Sequence, residues 1–272
     1  MSIKRLLASN NSLRTLLLPI LRKLNFEFCW KHDVTGRKFY LLTFLHKGYW
    51  FYGAEREEEE LKKFNELINN GDTVLEIGAH IGYVTQIFEE IVGESGKVLV
   101  AEPTEFSRRF LLKNKRDDTK VLPVAVSDAV GKIDFYTEHF GGFTNSIVRD
   151  FTEQSIDGLS QSQRQQTKSS NKVQVDTSTV DTISNEESIS PRFIKIDVEG
   201  AELAVLKGAK QTLRNTFALM VEVSRNHEDV YSLLYENGFK PILSNDNKTV
   251  NKFPGGNIFF VKENEFNETS NE

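Results

Sequence analysis

Short, almost wholly apolar runs recur along this chain of 272 residues, and each ends at or beside a polar turn. Five such runs occupy residues 73–77, 97–102, 121–126, 193–197 and 218–223. A strand that is apolar at consecutive positions is buried on both faces, as in a parallel sheet that carries helices on each side. The sequence therefore predicts an α/β fold with a mostly parallel sheet and helices on both faces.

Helical patterns separate these runs. Leu61, Phe64 and Leu67 recur at helical spacing and predict an amphipathic helix over residues 54–70. Further helices are predicted from near Ile81 and over residues 106–115, 201–213 and 229–237. The last two predicted strands, residues 239–243 and 257–261, have no helix between them, which indicates an antiparallel hairpin at the edge of the sheet.

The positions of these elements predict one large domain over residues 54–264, preceded by an N-terminal extension over residues 1–53. Residues 152–172 are rich in Ser and Gln and lack apolar periodicity, so burial cannot offset the entropy of ordering them. We expect a mobile insertion there, which either is simply disordered or orders over a substrate. Residues 265–272 are expected to form a frayed tail.

The balance of charge argues against a dedicated nucleic-acid binder. The chain has 34 basic and 39 acidic residues and a net charge of −5, so no global positive field is available to hold a phosphate backbone. The single cysteine, Cys29, excludes an internal disulfide and a cysteine zinc cluster, and it fits a reducing compartment. We expect a cytoplasmic protein in which Cys29 is a small buried side chain.

The N-terminus carries a short apolar run, residues 16–21, between Arg14 and Arg22. The run lacks a small-residue cleavage site and is far shorter than the ~20 apolar residues that cross a bilayer. We therefore expect no transmembrane segment. An amphipathic helix here would pack on the domain, or alternatively on a partner subunit or on a membrane surface as a peripheral contact.

The first of the five runs ends in a glycine turn that is suited to a bound cofactor. Gly78 and Gly82 bracket the turn and a helix follows, so the backbone can approach a ligand at a helix N-terminus. The spacing is G-x-x-x-G, not the G-x-G-x-x-G of a pyrophosphate site, and Glu76 stands beside it. An acid at this place suits S-adenosylmethionine, which brings a sulfonium cation, better than a dinucleotide.

Carboxylates also end the other runs. Glu102 follows the second run, at roughly the 20-residue offset at which an acid binds ribose hydroxyls. Ser127 and Asp128 follow the third run, where a polar pair can meet an adenine amino group or simply cap the turn. Asp197 and Glu222 belong to the fourth and fifth runs. Because ligands of open α/β sheets bind outside the carboxyl ends of the strands, one acid for each of five parallel strands predicts a negative cleft.

The densest group of acids surrounds the fourth strand-to-helix junction, where Asp197, Glu199 and Glu202 follow one another closely. Acids in the first turn of a helix complement its macrodipole by ~0.3–1 kcal/mol each, which accounts for Glu202 but not for Asp197. We expect Asp197 to face the cofactor or the acceptor. Asp197 and Glu222 could also hold a divalent cation, but the spacing does not require one and no metal site is predicted.

The segments that carry these features resemble the FkbM-type methyltransferase family. The matching segments are residues 76–85, 100–103, 125–128 with Gly131, 194–202 and 205–209, and residues 145–146 and 180–183 are similar to further parts of the family pattern. The resemblance implies a class I methyltransferase fold, which is Rossmann-like, and S-adenosylmethionine as the methyl donor. It also implies a hydroxyl of a sugar, polyketide or related metabolite as the acceptor, so we expect a small-molecule or glycan partner.

The residues expected to bind the cofactor are Glu76, Gly78, Ala79, His80, Gly82, Tyr83, Glu102, Pro103, Ser127, Asp128 and Asp197. His80 stands where the family usually has Asn, which removes an amide contact but leaves the turn plausible. Ala101 precedes the acid where the family usually has an aromatic residue. The Ser/Gln-rich insertion is a third departure, and it bears on the acceptor, whose pocket we expect within residues 140–171.

Methyl transfer to a hydroxyl needs a general base as well as alignment of the reacting atoms, and the base contributes ~10²–10⁴-fold. The candidate catalytic residues are Asp197, Glu199 and His227. We expect Glu199 or His227 near the acceptor and Asp197 as an orienting group.

Two other functions are compatible with the sequence. An oxidoreductase that uses a nicotinamide cofactor such as NAD could have the same architecture, although the incomplete glycine pattern and the acids beside it disfavour that function. A catalytically silent methyltransferase-like scaffold would instead bind a partner through the N-terminal segment.

Overall fold

The computed structural model describes residues 23–52, 58–137, 147, 171–242 and 253–263. The chain divides into two units, Met1–Glu58 and Glu59–Glu272, and each is described by itself. The predicted domain limits at residues 53, 54 and 264 stay a prediction. Within the described ranges, no helix is long and apolar enough to cross a membrane.

The first unit contains a β-hairpin and a short helix. Strands β1 (Glu27–Lys31) and β2 (Lys38–Leu42) pair antiparallel, and helix α1 (Lys47–Tyr52) follows. Phe39 is fully buried on β2, whereas the second half of β1 is exposed. Cys29 lies on that exposed half, so the expectation of a buried cysteine is wrong, because this part of β1 covers no core.

The second unit alternates helices and strands. Its described helices are α2 (Glu58–Leu67), α3 (Tyr83–Val92), α4 (Glu105–Asn114), α5 (Val180–Glu186), α6 (Glu202–Lys207) and α7 (His227–Glu236). Its described strands are β3 (Thr73–Ile77), β4 (Lys97–Ala101), β5 (Lys120–Leu122), β6 (Ala125–Val126), β7 (Gly131–Thr137), β8 (Asn171–Ser178), β9 (Phe193–Ile196), β10 (Ala218–Val223), β11 (Phe239–Ile242) and β12 (Gly256–Lys262). Within the described ranges, a helix is present at each place where the apolar spacing predicts one.

A seven-stranded sheet with the order β11-β12-β10-β9-β3-β4-β5 forms the centre of this unit. The five strands from β10 to β5 run parallel to one another, whereas β12 runs antiparallel to both β10 and β11. This arrangement confirms the α/β fold with a mostly parallel sheet and an antiparallel hairpin at one edge.

The central strands are buried on both faces. Every residue of β9 is buried, as are Val74 to Ile77 of β3, and successive residues of a strand point to opposite faces. On one side, the Phe64 ring of α2 packs edge-on against Phe88 of α3, with ring centroids 4.9 Å apart, and against Phe193 of β9 at 5.9 Å. Layers therefore cover both faces of the sheet, as near-continuous apolar strands require.

The prediction of one strand over residues 121–126 is wrong. The chain forms β5 in the seven-stranded sheet, leaves it at Pro123, and then forms β6 in a separate three-stranded sheet with the order β6-β8-β7. Proline has no N–H group to donate to a strand ladder, so the run cannot continue as a central strand through Pro123. The sequence also did not predict β7 and β8, which pair antiparallel with each other.

Helix α6 is shorter than the predicted helix over residues 201–213. It ends at Lys207, and a 3₁₀ turn at Thr212–Arg214 follows after a short connection. Gly208 occupies the C-cap, where a Cβ would lie 2.3 Å from the carbonyl oxygen of Ser127. The chain at Gly208 therefore passes close to the end of β6, which only a residue without a side chain permits.

Several predicted segments lie outside the described residues. These are the apolar run at residues 16–21, residues 145–146, almost all of the acceptor segment 140–171 and of the insertion 152–172, and the tail 265–272. At the end of the insertion, residues 171 and 172 begin β8.

Candidate functional site

Polar residues lie close together at the carboxyl ends of three neighbouring strands, β3, β9 and β10. Glu76 of β3 lies opposite Lys195 of β9 in the parallel register, and β9 pairs with β10 in the same sense. Side chains two residues apart share a face of a strand, so Asp197 lies on the same face as Lys195. In the parallel register, Asp197 is level with Gly78, which follows β3, and with Glu222 of β10. The parallel sheet thus brings these five residues to one edge.

The glycine turn after β3 is tightly folded. Gly78 and Gly82 have φ angles of 82° and 88°, which favour glycine. A Cβ at Gly78 would lie 1.7 Å from the carbonyl oxygen of Asp197, so no other residue fits there. His80 also has a left-handed φ of 51°, and its N–H donates to Glu102 Oε2 at 3.0 Å. The first turn is therefore fixed by the end of β9 and by the acid that follows β4.

The remaining residues predicted around this turn differ in exposure. Ala79 and Tyr83 are buried, whereas His80 and Pro103 are half-buried. Their contacts with a cofactor stay a prediction.

Glu76 is wholly buried below the turn. Its Oε2 accepts a hydrogen bond from Thr85 Oγ1 at 2.5 Å, and its Oε1 lies 3.8 Å from Lys195 Nζ. Burial raises the pKa of Glu76 to about 7, although Lys195 and Thr85 act in the opposite direction. Glu76 therefore supports the turn from inside the protein, and its direct contact with a cofactor stays a prediction.

Glu102 is buried and holds two loops. Its Oε2 accepts from the N–H of His80, and its Oε1 accepts from the N–H of Thr104 at 2.9 Å and from the Thr104 hydroxyl. Burial raises the pKa of Glu102, while the bonds from Thr104 and His80 lower it. Oε2, with one donor, keeps a lone pair that could accept from a further hydroxyl group.

Ser127 and Asp128 follow β6, which lies outside the seven-stranded sheet. The expectation that Asp128 ends a strand of the parallel sheet is therefore wrong, because Pro123 diverts the chain before it. Ser127 is buried and its hydroxyl donates to Asp128 Oδ1 at 3.2 Å, whereas Asp128 is exposed. An adenine contact by this pair stays a prediction.

Lys195 connects the turn to the end of β9. Its ammonium donates to Asp197 Oδ2 at 2.9 Å and to the carbonyl oxygen of Gly78 at 3.1 Å. Burial alone would raise the pKa of Asp197, but the charge of Lys195 and hydrogen bonds from Glu222 and Lys195 hold it below its usual value. Asp197 is therefore a carboxylate at neutral pH.

Asp197, Glu199 and Glu222 form a cluster, called here the acid cluster, in which one oxygen of each side chain lies within 4.8 Å of the others. Glu199 joins it from a left-handed backbone with a φ of 54°. Burial, followed by the charge of Asp197, raises the pKa of Glu199 to about 8 and that of Glu222 to about 9. The acid cluster therefore shares protons at neutral pH. Three oxygens at this spacing could also hold a divalent cation, but the geometry does not require one and we assign none.

His227 begins helix α7, one residue after Asn226, whose φ of 49° is left-handed. Its Nδ1 lies 3.1 Å from the carbonyl oxygen of Phe253. A carbonyl oxygen only accepts, so Nδ1 carries the hydrogen and Nε2 of the neutral ring keeps its lone pair. The ring rests against Gly255, where a Cβ would lie 2.6 Å from His227 Cε1. His227 is thus held with its basic nitrogen fixed.

The sequence reasoning missed the residues that hold the predicted acids. Thr85 and Thr104 bind Glu76 and Glu102, and Lys195 binds Asp197. The threonines carry no signal in the sequence. Lys195 does carry one, because a charged residue inside a strand that is buried on both faces must be paired.

The family model of the FkbM methyltransferase domain matches residues 76–241, which is more than half of the chain. This chain belongs to the FkbM methyltransferase family. The match begins at Glu76 and includes the glycine turn, the acid cluster and His227. The family resemblance read from the sequence is confirmed, and the chain is a methyltransferase of the class that uses S-adenosylmethionine.

Solved structures with a similar chain trace include several methyltransferases. Aeropyrum pernix fibrillarin, solved with bound S-adenosyl-L-methionine, has a TM-score of 0.40 and 13% identity over 87% of this chain and 82% of that one. An S-adenosylmethionine-dependent methyltransferase from Aquifex aeolicus has a TM-score of 0.38 and 15% identity over 80% and 96%. An S-adenosylmethionine-dependent O-methyltransferase from Thermotoga maritima has a TM-score of 0.39 and 10% identity over 77% and 65%. No curated protein matches the sequence.

Proposed function

We propose that this FkbM methyltransferase transfers the methyl group of S-adenosylmethionine to a hydroxyl group of a small molecule or a glycan. The observation that carries the proposal is the position of the acid cluster beside the Gly78 turn, at the carboxyl edge of the parallel sheet. Family membership supplies the transferred group. The acid cluster supplies negative charge for a cationic donor and acceptors for the proton that a hydroxyl must lose.

The chemistry of the groups around the turn fits S-adenosylmethionine. The donor carries a sulfonium, an ammonium and ribose hydroxyls, and the turn is surrounded by the carboxyl groups of Glu102, Asp197, Glu199 and Glu222. A pyrophosphate would be repelled by the ionised carboxylate of Asp197. When bound, S-adenosylmethionine supplies a methyl carbon that its sulfonium already activates.

Each predicted cofactor residue has a proposed task. Asp197 faces the cationic methionine end, and the free lone pair of Glu102 Oε2 accepts from a ribose hydroxyl. The backbone from Gly78 to Gly82, with Ala79 and His80, passes along the ligand, and Tyr83 and Pro103 border it. Ser127 and Asp128 meet the adenine, and Glu76 supports the turn from below.

Glu199 and His227 are the proposed candidates for the general base. As the acceptor oxygen bonds to the methyl carbon, its proton passes to the base, and the carbon–sulfur bond breaks with its electron pair kept by sulfur. The pKa of Glu199 at about 8 is close to working pH, which favours proton transfer, and Nε2 of His227 keeps its lone pair. Asp197 orients the donor, because its pKa is too low for an effective base.

The test is a methyl-transfer assay with labelled S-adenosylmethionine and a panel of sugars, lipid-linked glycan precursors, peptides and RNA. We expect label in a sugar or related hydroxyl compound. Glu199→Gln or His227→Gln should lower turnover by ~10²–10⁴-fold with little change in donor affinity, whichever is the base. Glu236→Gln, an exposed acid on α7, is the control and should leave turnover unchanged. Label in RNA alone, or full turnover in both variants, would contradict the proposal.

The two other functions predict different results in the same experiments. A nicotinamide oxidoreductase would bind NAD tightly and S-adenosylmethionine not at all. A silent scaffold would bind a partner and transfer no methyl group to any acceptor, so measurable transfer that Asp197→Ala abolishes would exclude it.

A further inference from the structure

Lys195 is a buried lysine in the middle of the parallel sheet, and the proposed chemistry gives it no task. Its side chain is 5% exposed. It lies on β9 between β3 and β10, directly opposite Glu76 and Met220 in the two registers. Charged side chains at such positions are rare unless they are paired.

The Lys195 ammonium meets three groups that belong to the candidate site. It donates to Asp197 Oδ2 at 2.9 Å and to the carbonyl oxygen of Gly78 at 3.1 Å, and Glu76 Oε1 lies 3.8 Å away. Two of its three N–H donors are used by Asp197 and Gly78, whereas Glu76 Oε1 at 3.8 Å is beyond hydrogen-bond distance and interacts with the ammonium through charge. The Lys195 side chain therefore connects the glycine turn to Asp197 of the acid cluster, and its charge also faces Glu76, which lies below the turn.

A buried ion pair is by itself weak evidence for a role in stability. Removing two charges from water costs several kcal/mol per ion, and well-packed apolar side chains often replace a buried ion pair without loss. Burial lowers the pKa of Lys195, but the charges of Asp197 and Glu76 outweigh burial and raise it. The lysine therefore stays charged, and its charge acts on the groups around it.

We propose that Lys195 is a positioning residue that fixes Asp197 and the Gly78 turn for the cationic end of the methyl donor. The inference rests on the proposed function. The charge of Lys195 keeps Asp197 ionised at a pH at which Glu199 and Glu222 still hold protons. Asp197 then offers the donor a fixed negative charge, and the hydrogen bond to Gly78 sets the distance between that charge and the turn.

The test compares Lys195→Met, Lys195→Arg and the wild type in two measurements. The first is the affinity for S-adenosylmethionine and for 5′-methylthioadenosine, a neutral thioether that lacks the amino-acid part. The second is a carbon-13 titration of the Asp197 carboxyl group, which is assigned by comparison with Asp197→Asn. Lys240→Met is the matched control, because Lys240 forms only an exposed ion pair with Glu263 among the described residues.

We expect Lys195→Met to weaken S-adenosylmethionine binding by ~10-fold or more, since charge-assisted hydrogen bonds are lost. Binding of 5′-methylthioadenosine should change by less than ~3-fold, and the pKa of Asp197 should rise. Lys195→Arg should keep the pKa of Asp197 low and restore most of the affinity. Lys240→Met should behave as the wild type does in both measurements.

Equal losses for both ligands, or an unchanged Asp197 titration in Lys195→Met, would overturn the inference, because they indicate a role in packing alone. If Lys195→Met does not fold, the comparison is made in Lys195→Met/Glu76→Gln, which removes the acid left without its partner. If the wild type binds no S-adenosylmethionine, the proposed function fails, and the carboxyl titration alone then decides whether Lys195 controls Asp197.

Discussion

At the scale of single residues, the predicted acids fall into two kinds. Glu76 and Glu102 are buried and accept hydrogen bonds from Thr85, Thr104 and His80, so much of their role is to hold loops. The acid cluster instead combines one ionised carboxylate with two that hold protons at neutral pH. The predicted negative cleft is therefore less charged than a count of carboxylates indicates. A bound cation would lower the pKa of the protonated carboxyl groups and so favour the loss of their protons.

Gly78 gives the sharpest prediction for a single residue. Gly78→Ala should destabilise the protein by ~3 kcal/mol or more and abolish donor binding, because its Cβ would lie 1.7 Å from the Asp197 carbonyl. Gly238→Ala is the control: its φ of 80° is equally left-handed, but no atom lies within 4 Å of the new Cβ. That variant should lose only ~1–2 kcal/mol from backbone strain. Equal losses in chemical denaturation would show that contact with β9 is unimportant.

Glu222 gives a prediction about pH. Its pKa is raised to about 9 by burial, from 4.5 when exposed, so the folded protein binds more protons than the unfolded chain between these values. Stability contributed by protonated Glu222 is thus complete below pH 4.5 and is lost as pH rises toward 9. Glu222→Gln should therefore raise the free energy of unfolding at pH 8 by about 1–3 kcal/mol and have little effect at pH 4.5.

The control for Glu222→Gln is Asp176→Asn, which removes an acid whose side chain is 63% exposed in an ion pair with Lys132. Exposed pairs contribute little, so this variant should change the free energy of unfolding by less than ~1 kcal/mol at either pH. A destabilised Glu222→Gln at pH 8 would mean that Glu222 is ionised in the native protein.

At the scale of elements, the sequence predicted what depends on hydrophobic pattern. The strands that are buried on both faces and the amphipathic helices follow from that pattern, and most of their ends differ from prediction by a few residues, whereas the helix predicted over residues 201–213 ends six residues early. The break at Pro123 follows from a local rule, the exclusion of proline from central strands. The prediction overlooked that rule because the run of residues around Pro123 is otherwise apolar. Strands β7 and β8 show no alternation of buried and exposed residues and pair across a long stretch of sequence, so no local pattern indicates their partnership.

The strand-to-helix junctions were the hardest elements to predict. His80, Glu199 and Asn226 each have a left-handed φ at such a junction, although none is glycine. That conformation costs about 1–2 kcal/mol per residue and persists only where tertiary contacts fix it. Sequence spacing placed His80 and Glu199 near the site, but only the folded backbone determines where their side chains point.

The connection before β12 leads to a prediction about His227. Gly255→Ala would place a Cβ 2.6 Å from the His227 ring and 2.8 Å from the Val223 carbonyl, so the ring must move. If His227 is the base, turnover at saturating donor should fall ~10-fold or more, while donor affinity stays nearly constant. Gly256→Ala is the control for the ring contact, because nothing lies within 4 Å of its new Cβ, and its φ of 94° adds only backbone strain, which lowers stability without moving the ring. Equal turnover in both variants would count against His227.

At the scale of the whole molecule, the site is a product of sheet topology. The chain order Glu76, Glu102, Lys195, Asp197, Glu222 says nothing by itself about distance, but parallel strands place their carboxyl ends at one edge. That rule was sufficient to predict that Asp197 and Glu222 lie near the glycine turn. The pairing of Lys195 with Asp197 and Gly78 depends on the register of β9 against β3, which the sequence does not specify.

The central claim is that this FkbM methyltransferase binds S-adenosylmethionine at the edge where Asp197 meets the Gly78 turn. Calorimetric titration of the wild type and of Asp197→Asn with S-adenosylmethionine tests it most directly. We predict saturable binding to the wild type and binding at least ~10-fold weaker to Asp197→Asn, which lacks the charge. Equal affinity in the two proteins, or no binding to the wild type, would contradict the claim.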